Sequence, residues 1–460
     1  MISGTLQQAA SVLRGELRGE DRAFMGVSTD TRALEAGQLF FALVGPRFDG
    51  HHFLVEARDR GAAGAVVSRD ADADLPCVRV PDTGRGLREL ASDWRRRFEL
   101  PVLGVTGSAG KTTVKEMIAA VLAEAGPVLV TRGNLNNEIG VPLTLFRLSG
   151  RHRYAVIEMG ANHPGEIAML ADISRPGIGV VTLAGAAHLE GFGTVEGVAR
   201  SKGELFAALP DDGVAVINAD DCYASLWRKM AADRRVVTFG LGPGADFSAR
   251  DITLQADGSA GVGFRLVSPL GEVVLSVPLA GRHNVTNALA AAAAASAAGA
   301  SLAHIRSGLE KTPGVKGRMQ LTRGPGGCRI IDDTYNANPG SVRAALDFLT
   351  GLKGQSWAVL GDMGELGPRA ARLHAEIGSY ARSIGVDRLF TVGTLTRETA
   401  AAFGAGARSF PDVDSLNTAL QPLLHPEVNL LVKGSRSMGM ERVVAALTAS
   451  PTDRAAEGAR

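Results

Sequence analysis

The chain alternates between two hydrophobic rhythms. Short apolar runs, the length of buried strands, recur at residues 38–43, 65–67, 101–105, 155–158, 179–182 and 214–217, and again at 329–332, 357–360, 388–392 and 429–432. Between them, apolar residues fall at helical spacing, as at Val114, Met117, Ile118, Val121 and Leu122, or at Val342, Ala345, Leu346 and Leu349. Strand-length apolar runs alternating with amphipathic helices predict parallel sheets covered on both faces. Further helices are predicted near residues 53–60, from about Gly165, from about 196 to 209, and through the alanine-rich run 288–298, which stops near Gly299. Asn338 is positioned to cap a helix that has Pro339 in its first turn.

At 460 residues the chain is too long for one core. The fold class expected is α/β in three domains. Residues 1–99 are expected to form a small N-terminal α/β domain. Residues 100–313 form a central domain with a parallel sheet like that of P-loop ATPases, and residues 314–460 form a C-terminal Rossmann-like α/β domain. Thr312-Pro313-Gly314 is the linker expected between the last two. In open α/β sheets ligands collect at the C-terminal ends of strands, so polar motifs there carry the functional argument.

Charge removes some partners. The 49 basic and 48 acidic residues nearly cancel, which leaves no electrostatic footprint for nucleic acid or an anionic membrane. Cys77, Cys222 and Cys328 lack metal-ligand spacing and read as reduced thiols. The early charges Glu16, Arg18, Glu20 and Asp21 leave no room for a signal-peptide core, and no apolar run is clean enough to span a bilayer. A cytoplasmic, monomeric protein is expected.

The strongest motif is Thr106-Gly107-Ser108-Ala109-Gly110-Lys111-Thr112-Thr113, between the strand 101–105 and the helix that follows. A Gly-rich turn ending in Gly-Lys-Thr at a helix N-terminus is a phosphate cradle. Its backbone N–H groups face an anion, Lys111 reaches the outer phosphates, and the Thr112 hydroxyl suits Mg²⁺. Val105 stands where the full pattern has Gly, so the shorter turn carries the signal. The plain alternative is a Gly-rich strand–helix turn with an exposed lysine.

Other strand ends add chemistry. Glu158 ends an apolar strand and can share a metal with the phosphate loop; His188 follows the next strand as a second candidate ligand. Lys202 shares a helical face with Val198, Phe206 and Leu209. A lysine there either snorkels to solvent or, as a neutral amine, reacts with CO₂ to give a carbamate that suits Mg²⁺. Asn218, Asn284 and Asn287 either read a purine edge or cap helices. The runs from Asp332 to Pro339 and from Lys433 to Arg436 pack donors and acceptors after strands, and the two cations suit a carboxylate or phosphate. A solvated surface is the alternative for both.

Together these residues resemble the Mur ligase family, ATP-dependent amide-bond synthetases of bacterial cell-wall assembly, over nearly the whole chain. Four stretches are similar to the branch that joins D-alanyl-D-alanine to UDP-N-acetylmuramoyl-tripeptide: Glu158-Met159-Gly160-Ala161-Asn162, His188-Leu189-Glu190-Gly191-Phe192-Gly193, Asp332-Asp333-Thr334-Tyr335-Asn336-Ala337-Asn338-Pro339 and Leu360-Gly361-Asp362-Met363-Gly364-Glu365-Leu366-Gly367. The Asp-Asn-Pro-Arg acceptor motif of the tripeptide-forming relative is absent from the sequence.

The resemblance implies binding of the UDP substrate by Ser28, Thr29, Asp30, Thr31 and Arg32 and by the loop that carries Asp49, with Asn134, Asn136 and Asn137 near its reacting end. It implies ATP contacts from Asn284, Asn287, Arg318 and Asp332, besides the phosphate loop, and contacts to the substrates from Asn336, Asn338, Lys433 and Arg436. It further implies two Mg²⁺ ions, held by Thr112, Glu158, His188 and a carbamoylated Lys202. Many family members have Asn after the Thr that ends the strand before the metal-binding His, whereas here Leu183 follows Thr182. The implied reaction forms an acyl phosphate from ATP and the tripeptide carboxylate, which the amine of D-alanyl-D-alanine then captures, with Lys111 and the metal ions neutralising charge. The readings that compete are a sister ligase, such as a folate polyglutamate synthetase, and a nucleotide-dependent switch that makes no amide.

Overall fold

In the computed structural model, residues 1–46, 48–70, 74–254 and 261–448 are described. The central sheet has six strands in the order Val128–Val130, Tyr154–Glu158, Val102–Thr106, Ile178–Val181, Val214–Asn218 and Arg235–Phe239. Every pairing in it is parallel. From Val102–Thr106 the chain crosses to one edge of the sheet; from Ile178–Val181 it crosses to the other. The crevice between these neighbours is a topological switch point, where a parallel sheet opens to ligands.

The helices Lys111–Ala123 and His283–Ala297 pack against each other on one face of this sheet. The alanine run explains how. Ala288 to Ala295, with Leu289 among them, are fully buried, and side chains of one carbon let two helices and a sheet approach closely. The helices Glu166–Ser174 and Val195–Ala207 cover the opposite face.

An antiparallel sheet of Ser248–Leu254, Val262–Ser268 and Gly271–Val277 was not isolated by the sequence reading. Its signal is there: Val262, Phe264 and Leu266 alternate inward at the strand period, and they close the core over the alanine-rich helix.

The N-terminal sheet orders its five strands Glu16–Arg18, Cys77–Arg79, Gly64–Val67, Leu39–Phe41 and Val27–Ser28. Its helix Thr83–Arg96 packs on the central unit, where Arg95 Nε donates to the Ser174 carbonyl at 2.9 Å and Trp94 Nε1 to the Leu148 carbonyl at 3.2 Å.

The C-terminal sheet runs Gln320–Arg323, Arg329–Asp333, Val428–Lys433, Gln355–Gly361, Arg388–Val392 and Ala407–Phe410. It is parallel except at Gln320–Arg323. Both edge strands escaped the sequence reading; they are short and half exposed, so no apolar run marks them. Asn338 caps Pro339–Thr350 as expected, accepting from Ser341 N at 2.9 Å. Residues 449–460 of the expected third domain lie outside the described residues. Among the described residues no helix is long and apolar enough to cross a membrane.

Candidate active site

The phosphate loop is built by backbone necessity. Gly107 has φ of +143°, and a Cβ there would lie 1.9 Å from Thr182 Oγ1. Gly110 has φ of +80°, and a Cβ there would lie 2.6 Å from Asn287 Oδ1. The neighbouring strand end pins the loop. Thr182 Oγ1 donates to the Ala109 carbonyl at 2.6 Å, and Ser108 N donates to the Leu183 carbonyl at 2.9 Å. Leu183 therefore serves through its backbone, and its side chain lines the adjoining cavity. Gly107→Ala is expected to lower stability by about 2–3 kcal/mol, from strain and overlap together, and to abolish tight nucleotide binding. Thermal unfolding and calorimetric titration with ATP check both.

Ser108, Ala109, Gly110, Lys111 and Thr113 line a cavity of about 420 Å³. Asn218, Asn284 and Asn287 line it from the central unit, and Asn336, Asn338 and Lys433 from the C-terminal unit. Asn284 donates to the Ala280 carbonyl at 2.7 Å and accepts from Asn287 Nδ2 at 2.9 Å, so the two amides hold each other in a fixed orientation. Asn338 Nδ2 donates to the Ser108 carbonyl at 3.2 Å, which brings the C-terminal unit directly onto the phosphate loop.

A second cavity, also about 420 Å³, lies on the other side of Lys111. Asn134, Asn136, Asn137, Glu158, His188 and Arg436 line it. Lys111, Arg318, Tyr335 and Asn336 line both cavities. Lys111 Nζ donates to the Gly107 carbonyl at 2.8 Å. Burial pulls its ammonium below the usual lysine range, against the pull of Glu158. Asn136 Nδ2 donates to Glu158 Oε1 at 2.8 Å, and Asn137 caps the next helix by accepting from Gly140 N at 2.9 Å. Arg436 pairs with Glu441 at 3.1 Å.

Of the expected metal ligands, Glu158 and His188 line the second cavity, while Thr112 and Lys202 line neither. Glu158 is 2% exposed, and its Oε2 has no hydrogen-bond partner among the described residues. Thr112 Oγ1 accepts from Arg318 Nη2 at 3.0 Å, while Arg318 itself lies over the Tyr335 ring. His188, in a left-handed backbone conformation, pairs through Nδ1 with Glu365 of the C-terminal unit. Lys202 is 1% exposed, donates among the described residues only to the Ala161 carbonyl, at 3.2 Å, and sits over the Phe192 ring. Burial first, then the Lys111 cation, bring the Lys202 ammonium down to about 7. It does not snorkel to solvent. No three His, Cys, Asp or Glu side chains cluster as a ready metal site among the described residues. The free, buried Glu158 oxygen suits a cation, and a carbamate on Lys202 would supply further anionic oxygens.

Three expectations are redirected. Asp332 turns away from the nucleotide cavity and accepts from Thr334 Oγ1; Asp333, on the opposite face of the same strand, lines that cavity instead. Lys433 lines the nucleotide cavity and not the second one. Its ammonium is bonded to Asp333 Oδ2 at 2.5 Å and to the Asn336 carbonyl at 2.8 Å. Ser28, Thr29, Asp30, Thr31, Arg32 and Asp49 line neither cavity. Several are bonded to one another: Ser28 Oγ donates to the Asp30 carbonyl at 2.9 Å, and Asp30 pairs with Arg32 at 2.7 Å. The His51 backbone N–H, then the His51 ring and Arg69, hold the Asp49 carboxyl at about 2.

The sequence reading gave no role to Lys115, nor to Tyr335 and Glu365, which stood only inside the quoted stretches. Lys115 was detectable as a lone charge on the apolar side of its helix. Glu365 was not, because its partner lies in another unit of the chain.

A glycine-rich loop whose lysine also lines a second cavity, roofed by a second α/β sheet, defines a class, and comparison with known proteins agrees. Family models match as the Mur ligase family catalytic domain at residues 24–124, the Mur ligase middle domain at 105–295 and the Mur ligase glutamate ligase domain at 317–436. The chain belongs to the Mur ligase family. It is 44% identical over 455 residues to the UDP-N-acetylmuramoyl-tripeptide–D-alanyl-D-alanine ligase of Escherichia coli K12, covering 98% of this chain and 100% of that one. The crystal structure of MurF from Acinetobacter baumannii superposes with a TM-score of 0.92 at 35% identity, covering 97% and 99% of the two chains. MurF from Thermotoga maritima, in complex with ADP, gives 0.82 at 26% identity, covering 95% and 98%.

Proposed function

We propose that this chain is a UDP-N-acetylmuramoyl-tripeptide–D-alanyl-D-alanine ligase, which forms its amide through an acyl phosphate and releases ADP and phosphate. The observation that carries the mechanism is that two cavities share Lys111. One fits a nucleotide with its phosphates on the loop Gly107–Thr113. The other fits the carboxylate end of the tripeptide and the incoming dipeptide.

A carboxylate cannot be aminated in water without activation. Lys111, at the boundary, neutralises charge on the γ-phosphoryl group as the carboxylate attacks it, and Arg318 faces both reactants. Thr112, Glu158, His188 and carbamoylated Lys202 would hold two Mg²⁺ ions, which supply charge neutralisation at the phosphates. Asn136 keeps the Glu158 carboxylate in place. Asn134 and Asn137 border the acceptor end, and Arg436 offers a cation to a substrate carboxylate. Asn284, Asn287 and Asn338 hold the nucleotide, with Asp333 in the role expected of Asp332. The Asn338 and Glu365 contacts close the C-terminal unit over the site, which keeps water from the acyl phosphate. The UDP moiety is taken by Ser28–Arg32 and the Asp49 loop, whose internal pairs pre-order them for an anionic ligand. The functional units are residues 1–99, 100–313 and 314–460, acting as a cytoplasmic monomer.

Oxygen-18 placed in the terminal carboxylate of the tripeptide tests the chemistry. One labelled oxygen is expected in the released inorganic phosphate. Phosphate free of label would rule out the acyl phosphate.

A further inference from the structure

Glu158 is not buried alone. Lys115, one helical turn beyond Lys111, is fully buried, with Nζ 2.7 Å from the Thr131 carbonyl, 2.9 Å from Glu116 Oε1 and 3.9 Å from Glu158 Oε2. Thr131 grips the same carboxylate residue from its backbone side, its Oγ1 accepting from Glu158 N at 3.0 Å. Asn136 fixes Oε1, and Oε2 is left with no hydrogen bond among the described residues.

Lys115 lines neither cavity, so it touches neither nucleotide nor acceptor. Its closer partner, Glu116, has a side chain 28% exposed that water can solvate, whereas the Glu158 side chain, at 2%, has no such recourse. The buried cation therefore matters more to Glu158. The surrounding helix face holds Val114, Met117 and Ile118, all fully buried, so an ammonium here is costly unless it serves a charge.

We propose that Lys115 is a positioning residue, holding the Glu158 carboxylate in place with Oε2 directed at the metal without itself reaching metal or substrate. This rests on the reading of Glu158 as a metal ligand. Supporting side chains of this kind typically change metal affinity about 10- to 100-fold.

The test is calorimetric binding of a nonhydrolysable ATP analogue to the full chain, in excess EDTA and in excess Mg²⁺. Lys115→Met is expected to bind the analogue in EDTA within about twofold of wild type but to lose about 10- to 100-fold of the gain from Mg²⁺. Lys115→Gln, which keeps a donor for the Thr131 carbonyl, is expected to show the same loss and serves if the methionine variant does not fold. On a Glu158→Gln background, Lys115→Met is expected to add nothing, since it acts through that carboxylate. An undiminished Mg²⁺ gain in both Lys115 variants, or additive losses in the double variant, overturns the proposal while leaving the Glu158 reading intact. A full Mg²⁺ gain in Glu158→Gln overturns the Glu158 reading itself, and the proposal with it.

Discussion

Replacing Lys111 with methionine is expected to lower kcat by about 10²–10³-fold, with a smaller change in the affinity for ADP. Methionine keeps the length and apolar stem of the side chain, so the loop retains its packing. The ammonium is lost at the boundary where both cavities meet, beside Arg318, Tyr335 and Asn336. Charge builds there as the γ-phosphoryl group leaves ADP, so the defect belongs mainly to the transition state and to kcat. Single-turnover kinetics of phosphate release, beside calorimetry with ADP, separates the two. A variant whose loss lies wholly in KM would place Lys111 in ground-state binding and remove the argument from the shared cavity boundary.

Replacing Lys202 with alanine is expected to cost about 100-fold or more in kcat, through lost metal binding and not through unfolding. Lys202 also packs, with its ammonium over the Phe192 ring, so Lys202→Met is the control that keeps volume while removing the amine. Lys202→Glu restores an anionic oxygen donor at the position and is expected to recover part of the activity. The carbamate forms as the neutral amine adds to CO₂ and loses a proton. An ammonium held down near 7 is half neutral at about that pH. When CO₂ is limiting, activity is thus expected to fall as the pH drops through about 7, and added bicarbonate to restore it. Normal turnover by Lys202→Met, or mass spectra of the active wild type without the carbamate, would sink this role.

The glycine turn at 107–110 was legible because it is a local backbone requirement. The Lys202 helix was legible because a lone cation interrupts an apolar stripe. Neither the Asp332–Asp333 choice nor the Lys433 placement could be read in the same way. Adjacent strand residues point to opposite faces, so a register uncertain by one residue exchanges the residue that lines the cavity for one that does not. In the sheet 248–254, 262–268 and 271–277 the middle strand alternates clearly, but its two partners are largely exposed and their polar residues dilute the apolar pattern.

By itself, the sequence determined what depends on neighbours along the chain: helix and strand periods, the helix cap at Asn338, the glycine turn at 107–110 and the polar residue types at strand ends. Tertiary structure decided what depends on residues far apart meeting. It placed Lys111 between two cavities, set Asn338 against Ser108 and Glu365 against His188, and buried Lys115 beside Glu158. The physical reason is that charge and hydrogen-bond energies fall off with distance in space, and distance in space is unrelated to separation along the chain until the sheets have formed.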